Sequence, residues 1–323
     1  VKEKVLVTGS TGFVGKHLCK ELIRRDYRVF SLVYEGEPYP GTEMIRGDIT
    51  DRSSLKLPDF DVLFHCAGIL ESSHQKREVL YRVNTHGTEN IVVCSKRVGV
   101  KKIIFMSTIS AVGPQGTSEK PITEQYKPKP NDDYGLSKLK AERFLEGFHK
   151  KNPDIDIGIL RPPVVYGYGM NSDSSAMKTF TNVKRGRMPL VDGGKHTFNF
   201  LYVENLIYGM VLLMEKIEGY RIFNINEGPY KQIDVVRSIT NAVPGSKGTF
   251  TIPSSLLWLV TLYSETLSRI TKRPPFLSWT KYRALTTDCW NMDHGLLKEE
   301  IGYEALYDLE EGVRRTANAY RWV

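Results

Sequence analysis

The stretch that most constrains this chain is Gly9-Ser10-Thr11-Gly12-Phe13-Val14-Gly15, because of what stands on either side of it. Lys4 to Thr8 reads Lys-Val-Leu-Val-Thr, a β-branched run with the pattern of a buried strand. After Gly15, Leu18, Leu22 and Ile23 return at helical spacing. Strand, glycine turn and helix in that order give an otherwise weak glycine motif its meaning. Gly9 permits a tight turn, Gly12 lets the backbone approach a pyrophosphate, and Gly15 lets helix and strand pack closely. The free N–H groups of the helix then offer the phosphates a partial positive charge.

The same alternation continues. Arg28 to Val33, Met44 to Asp48, Asp61 to Gly68, Lys102 to Ser107 and Ile155 to Leu160 read as strands, with helical patterns from Gln75 to Val98 and after Asn131. Such an order predicts a doubly wound parallel α/β sheet, in which ligands bind beyond the strands' carboxyl ends. The glycine turn, Asp48, Ala67 with Gly68, and Thr108 all fall at such ends. Small residues such as Ala67 and Gly68 suit a backbone lying against a flat ligand. Asp48 reads either as an acceptor for an adenine amino group or as a cap for the next short helix. His65 reads as a satisfied core histidine. At the end of the second strand, Val33-Tyr34-Glu35 lacks both the usual Asp for a ribose and the usual Arg for a 2′-phosphate; Glu35 favours NAD over NADP. The expected division is residues 1–165 with part of 195–230 as the nucleotide-binding domain. Residues 166–194 and 231–323 form a smaller, mainly helical substrate lobe.

Tyr134 and Lys138 stand four residues apart at the start of a helical pattern, so they share one face. Lowering a phenol from ~10 to near 7 needs roughly 4 kcal/mol at ~1.36 kcal/mol per unit. One cation ~4 Å away supplies about that much at an effective dielectric of ~20. The pair therefore has the makings of an acid/base at neutral pH. The loop from Val112 to Asn131, rich in Gly, Pro and Lys, suits a flexible wall over a site, and Arg161-Pro162-Pro163 reads either as a stiff segment pressing on a nicotinamide or as a rigid exit from the sixth strand.

Composition narrows the class. Hydrophobic residues at 41% and charged ones at 25% are those of an ordinary soluble protein, and the formal charge of +8 is compatible with an anionic ligand. Cys19, Cys66, Cys94 and Cys289 lie far apart in apolar segments, which predicts buried thiols in a reducing, cytoplasmic compartment. No metal-ligand spacing is visible, so no metal is expected. The chain enters a strand almost at once, which leaves no signal peptide to expect. The basic cluster Lys178, Lys184, Arg185 and Arg187 has no interleaved aromatics and predicts no nucleic acid.

Taken together, the chain resembles the extended short-chain dehydrogenase/reductase family, of the NAD-dependent epimerase/dehydratase type and the Rossmann fold. The resemblance rests on the glycine turn with Thr8, Gly47-Asp48, His65-Cys66-Ala67-Gly68, Asn84 with Gly87-Thr88, Ser107-Thr108, Tyr134-x-x-x-Lys138 and Arg161-Pro162-Pro163. It implies that Tyr134 is the acid/base, that Lys138 lowers its pKa and binds the nicotinamide ribose, and that Thr108 orients the substrate oxygen. For the cofactor it implies contacts from Gly9, Thr11, Gly12, Phe13, Val14 and Gly15. Tyr34, Asp48, Ile49, Cys66, Ala67, Gly68 and Asn84 follow along the crevice, then Arg161, Pro162 and Val164. Substrate contacts are expected from Thr108, Ser110, Tyr134, Tyr166 and Phe198.

The substrate side is read from departures. Relatives that dehydrate nucleotide sugars carry Asp-Glu after the Thr, where this chain has Ile109-Ser110. Sugar-nucleotide epimerases carry an Arg that binds phosphate where this chain has Phe198, and Tyr202-Val203-Glu204-Asn205 looks like 3β-hydroxysteroid and sterol-4-carboxylate dehydrogenases. The segment 254–273 is too apolar for a narrow core stripe and ends in Lys272 and Arg273. It reads as a peripheral membrane contact, a wall of an apolar cleft, or a buried helix of the small lobe. The resulting expectation is an NAD(P)-dependent oxidoreductase of a secondary alcohol or ketone on an apolar, steroid-like small molecule. The alternatives are a nucleotide-sugar 4-epimerase and a non-catalytic NAD(P)-binding scaffold. The family further implies a homodimer joined by helices near 75–98 and 132–151.

Overall fold

The computed structural model describes residues 2–70, 77–273 and 275–322; Gln75, where the second helical pattern was expected to begin, and Pro274 lie outside them. The strands in chain order are β1 (Lys4–Thr8), β2 (Arg28–Val33), β3 (Glu43–Arg46), β4 (Val62–His65), β5 (Lys102–Met106) and β6 (Asp156–Arg161), then β7 (Val164–Tyr166), β8 (Met188–Val191), β9 (Thr197–Tyr202), β10 (Tyr220–Asn224), β11 (Pro229–Lys231) and β12 (Thr249–Ile252). Seven of them form one sheet in the order β10-β6-β5-β4-β1-β2-β3, and every pairing in it is parallel. This is a Rossmann-like α/β sheet.

Period-two alternation sorts its side chains between two helical layers. Val5, Val7, Phe64 and Ile104 point to the face carrying α1 (Phe13–Arg24). Leu6, Leu63, Ile103 and Phe105 point to the other, which carries α3 and α4. Here the second helical pattern splits into α2 (Arg77–Tyr81), a π-helical turn (Arg82–His86) and α3 (Gly87–Arg97), and α4 is Asp133–Lys151. Because both faces are covered, the strands are near-continuous apolar runs rather than alternating ones.

After β6 come α5 (Ser175–Lys184), α6 (Val203–Lys216), α7 (Gln232–Ala242), α8 (Ser254–Thr271), α9 (Trp279–Thr286), α10 (Gly295–Ile301) and α11 (Leu309–Ala319). Strands β11, β9 and β7 make a second sheet, and β12 pairs β8 in a third. A single apolar cluster runs from Val5 and Leu22 through Leu190 and Ile239 to Tyr303 and Val313, so the sheet and the C-terminal helices share one core. The helix α8 is the exception. The expectation that it is buried in the small lobe is overturned, because only Leu257, Thr261 and Ser264 are buried in it.

Candidate active site

The order of strands reverses between β1 and β4, which opens the crevice where ligands of such sheets sit. The glycine turn forms its floor. Gly9 has φ +69°, and a Cβ there would lie 2.7 Å from the Ala67 nitrogen across the crevice; one on Gly15 would lie 2.1 Å from the Gly9 oxygen. Gly12 caps α1 with no side chain, and the first turn holds no acidic residue, so the helix N–H groups face outward without a competing anion. Ser10 Oγ beneath them is buried with no partner among the described residues. These features fit the pyrophosphate of a dinucleotide. Gly68, on the far lip, would place a Cβ 3.0 Å from Lys138 Nζ and 3.1 Å from Asn84 Oδ1, so a side chain there would crowd both.

The expected catalytic residues come from neighbouring elements. Thr108 leaves the end of β5 and caps a short 3-10 turn, its Oγ1 accepting from Ser110 N at 3.2 Å. Tyr134 opens α4, whose N-cap Asp132 accepts from Gly135 N at 2.6 Å. Burial pushes the Tyr134 phenol up to about 12, with a hydrogen bond from Thr108 pulling the other way. Lys138 is buried, donates to the Met106 oxygen at 3.0 Å and lies 4.8 Å from the centre of the Phe105 ring. Desolvation pulls its ammonium down to about 8, against the pull of Cys66 and Glu142. Burial, rather than the neighbouring cation, thus sets the phenol's resting state, which is the reverse of the lowering expected from spacing alone.

Three further residues hold this arrangement, and sequence reading passed over them. Gly135 lets α4 meet the Ser110 loop, since a Cβ there would lie 2.2 Å from the Ser110 oxygen. Ser137 donates to the Tyr134 backbone carbonyl at 2.7 Å and accepts from Asn84 Nδ2 at 3.0 Å. Glu142 accepts from Arg161 through both oxygens, at 2.9 and 2.6 Å, and from Ser107 Oγ at 2.5 Å. Glu142 had a signal: with Tyr134 and Lys138 it continues one i, i+4 row of α4, a charged position on a face that also carries buried Leu145.

Of the expected contacts, one is overturned and several others take part in internal contacts. Tyr166 is fully buried, stacked 4.7 Å from Phe200, with its hydroxyl on Glu227, so it faces the core and not a substrate. Arg161 is tied into the buried pair with Glu142, and its Nη1 is buried with no partner among the described residues. The carboxylate of Asp48 accepts from Thr50 N and Oγ1 at 2.7 and 2.8 Å in a local turn, while Asp51 caps the short helix. Ile49 packs under Gly87, and Cys66 is buried with its thiol pushed up to about 12. Asn84, in the π-helical turn, exchanges hydrogen bonds with Ile69 N and O at 2.9 and 3.0 Å and so pins the chain after Gly68. His65 is fully buried between Thr8 and Thr88, 2.7 and 2.9 Å away, and burial drives it down to about 3, which makes it the neutral core residue expected. Tyr34 is exposed at the end of β2. Phe198 is half-buried and lines a small apolar pocket with Met188, Val235, Val236 and Leu285. A second, open cavity lined by Lys184, Arg185, Arg187, Lys247, Phe180 and Trp322 shares no residue with the catalytic set.

Comparison with known proteins agrees with this geometry. The chain is 29% identical to UDP-glucose 4-epimerase of Vibrio cholerae, over 98% of its own length and 95% of that protein's. It is 27% identical to sterol-4-alpha-carboxylate 3-dehydrogenase, decarboxylating, of Homo sapiens, over 99% and 88%. A crystal structure of UDP-glucose 4-epimerase from Thermus thermophilus in complex with NAD superposes with a TM-score of 0.77 at 20% identity, covering 98% of this chain and 99% of that one, a likeness of fold. The model of one family matches residues 5–226, and with it the site belongs to an NAD-dependent enzyme: the chain is a member of the NAD dependent epimerase/dehydratase family.

Proposed function

We propose that this enzyme is an oxidoreductase that interconverts a secondary alcohol and a ketone on an apolar, steroid-like substrate, with Tyr134 as acid/base. The observation that carries the reading is that Thr108, leaving the carboxyl end of β5, and Tyr134, at the start of α4, are brought together where Gly135 packs on Ser110, with Lys138 buried one helical turn further on. The bound nicotinamide supplies the hydride acceptor or donor. Thr108 holds the substrate oxygen and Tyr134 exchanges the proton with it. With the phenol pushed up to about 12, Tyr134 rests protonated, the form that donates in ketone reduction. In alcohol oxidation the Lys138 ammonium stabilises the phenolate, and it does so below about pH 8, where it keeps its proton.

Support for an apolar substrate comes from Phe198, an apolar side chain at the position where sugar-nucleotide epimerases carry their phosphate-binding Arg. Exposed Tyr34 and Glu35 at the end of β2 favour NAD over NADP, since neither offers a cation to a 2′-phosphate. A homodimer through α3 and α4 belongs to the same reading, and sedimentation tests it. The second reading, a nucleotide-sugar 4-epimerase, is favoured by the near-full-length match to the Vibrio enzyme. Hydroxysteroids and sugar nucleotides incubated with NAD or NADP separate the two. Stoichiometric release of reduced cofactor with a steroid supports the first, and sugar turnover without release the second. In either case Tyr134→Phe should lower kcat by about 10²–10⁴-fold while cofactor affinity holds; normal turnover by that variant refutes the assignment.

A further inference from the structure

The helix α8 is amphipathic in the wrong sense for a helix of a closed domain. Its inward face is Leu257, Thr261 and Ser264, at i, i+4 and i+7. Both hydroxyls are satisfied locally, Thr261 Oγ1 by the Leu257 oxygen at 2.8 Å and Ser264 Oγ by Leu277 N at 3.0 Å. The apolar side chains face outward: Leu259 is 56% exposed, Tyr263 64% and Ile270 75%. The patch continues past the helix, where Phe276 is 61% exposed and the Trp279 ring stands 6.0 Å from that of Trp258. A contiguous apolar surface of this kind marks an interaction site.

What covers it is indicated by charge. Residues 254–286 hold Arg269, Lys272, Arg273, Lys281 and Arg283 against one carboxylate, Glu265, which accepts from Trp279 N at 3.1 Å. A tenth of the chain therefore carries half of its formal charge of +8. A second copy of the same face would bring two such cationic rims together. An anionic lipid surface meets both features at once, apolar side chains entering the acyl boundary and cations meeting headgroups. Among the described residues no helix is long and apolar enough to cross a membrane, which leaves a helix lying in the interface. At 1.5 Å per residue α8 extends about 27 Å along such a surface.

We propose that the outward face of α8, continued through Phe276 and α9, docks this enzyme on the surface of an anionic lipid bilayer. The inference needs no particular substrate, so it stands or falls separately from the proposed reaction. The test is sedimentation of the full chain with vesicles of phosphatidylcholine alone or mixed with phosphatidylserine. The expected result is binding to the mixed vesicles at least about ten-fold tighter than to the neutral ones, weakening as salt rises. The double variant Leu259→Glu with Ile270→Glu should abolish binding, and Lys272→Glu with Arg273→Glu should remove the preference for anionic lipid. Unchanged circular dichroism and NAD affinity certify that the variants fold. Absence of vesicle binding by the parent chain, or undiminished binding by the Leu259/Ile270 variant, overturns the proposal. So does a dimer in solution that the same variant converts to monomer, since the face is then a contact between copies.

Discussion

Tyr134 and Lys138 each resist the charge that their chemistry needs. Burial holds the phenol at about 12 and brings the ammonium down to about 8, so the pair rests with both protons in place near neutral pH. What makes the residues useful is placement, and placement depends on Gly135. The start of α4 touches the Ser110 loop so closely that a Cβ on Gly135 would overlap the Ser110 oxygen at 2.2 Å. Both partners of that contact are backbone, so the helix start must move. Gly135→Ala is therefore expected to displace Tyr134 from Thr108 and to lower kcat by roughly 10²-fold, the scale of a ~1 Å misplacement. The KM for the cofactor should stay within a few fold, because the glycine turn lies on another element. A variant with full kcat and only reduced stability would show that the contact shapes the fold without tuning the site.

At the scale of elements, α4 is fastened to the sheet by an ion pair. Glu142 and Arg161 are both almost wholly buried, and Ser107 at the end of β5 donates to the same carboxylate. Removing one partner leaves the other charge uncompensated, so Glu142→Gln is expected to cost about 3–5 kcal/mol in urea unfolding. Adding Arg161→Met should restore much of that loss, which a double-mutant cycle measures; an additive loss would mean that the two residues act separately. Legibility follows the same elements. Strands β1, β2 and β5 were readable because burial on both faces demands near-continuous apolar runs. Strands β7, β8, β11 and β12 are three or four residues long and pair outside the seven-stranded sheet, so the strand–helix alternation that marks the equally short β3 and β4 does not mark them. The π-helical turn at Asn84 was invisible because its cause is distant: the residue is drawn inward by Ile69 and by Ser137 on another helix. Thr108, Tyr134 and Lys138 stood out because their residue types carry the chemistry. Tyr166 misled because it follows the Arg-Pro-Pro exit at the sheet's edge, while β7 turns it beneath Gly312, where a Cβ would lie 2.3 Å from its hydroxyl.

For the molecule as a whole, the C-terminal third is joined to the sheet around Glu227. Its carboxylate accepts from Tyr202 N at 2.8 Å and Asn205 Nδ2 at 2.6 Å, and from the Tyr166 hydroxyl at 3.3 Å. Asn205 in turn accepts from Leu306 N and Tyr307 N, so one acidic side chain connects β7, β9, α6 and the segment leading to α11. Burial raises Glu227 from its ordinary value near 4.5 to about 7, and the backbone and amide donors only partly offset it. The sign follows from linkage. Between those two values the folded chain holds a proton that the unfolded chain has released, so the free energy of unfolding falls as pH rises. The contribution is complete below about 4.5 and gone above about 7. At ~1.36 kcal/mol per unit it amounts to at most roughly 3 kcal/mol. Carboxylates held below their ordinary value act with the opposite sign in a lower window, as Glu21 does beside Arg24, where it is held down to about 2 and loses its contribution as pH falls from about 4.5 to about 2. The clean measurement is therefore a difference. Glu227→Gln keeps the oxygen that accepts from Tyr202 and Asn205 but cannot ionise. Its stability relative to the parent chain should rise steadily from pH 4.5 to 7 and then level off. A difference that stays constant across that range would mean that Glu227 is charged in the fold and that the three donors outweigh its burial.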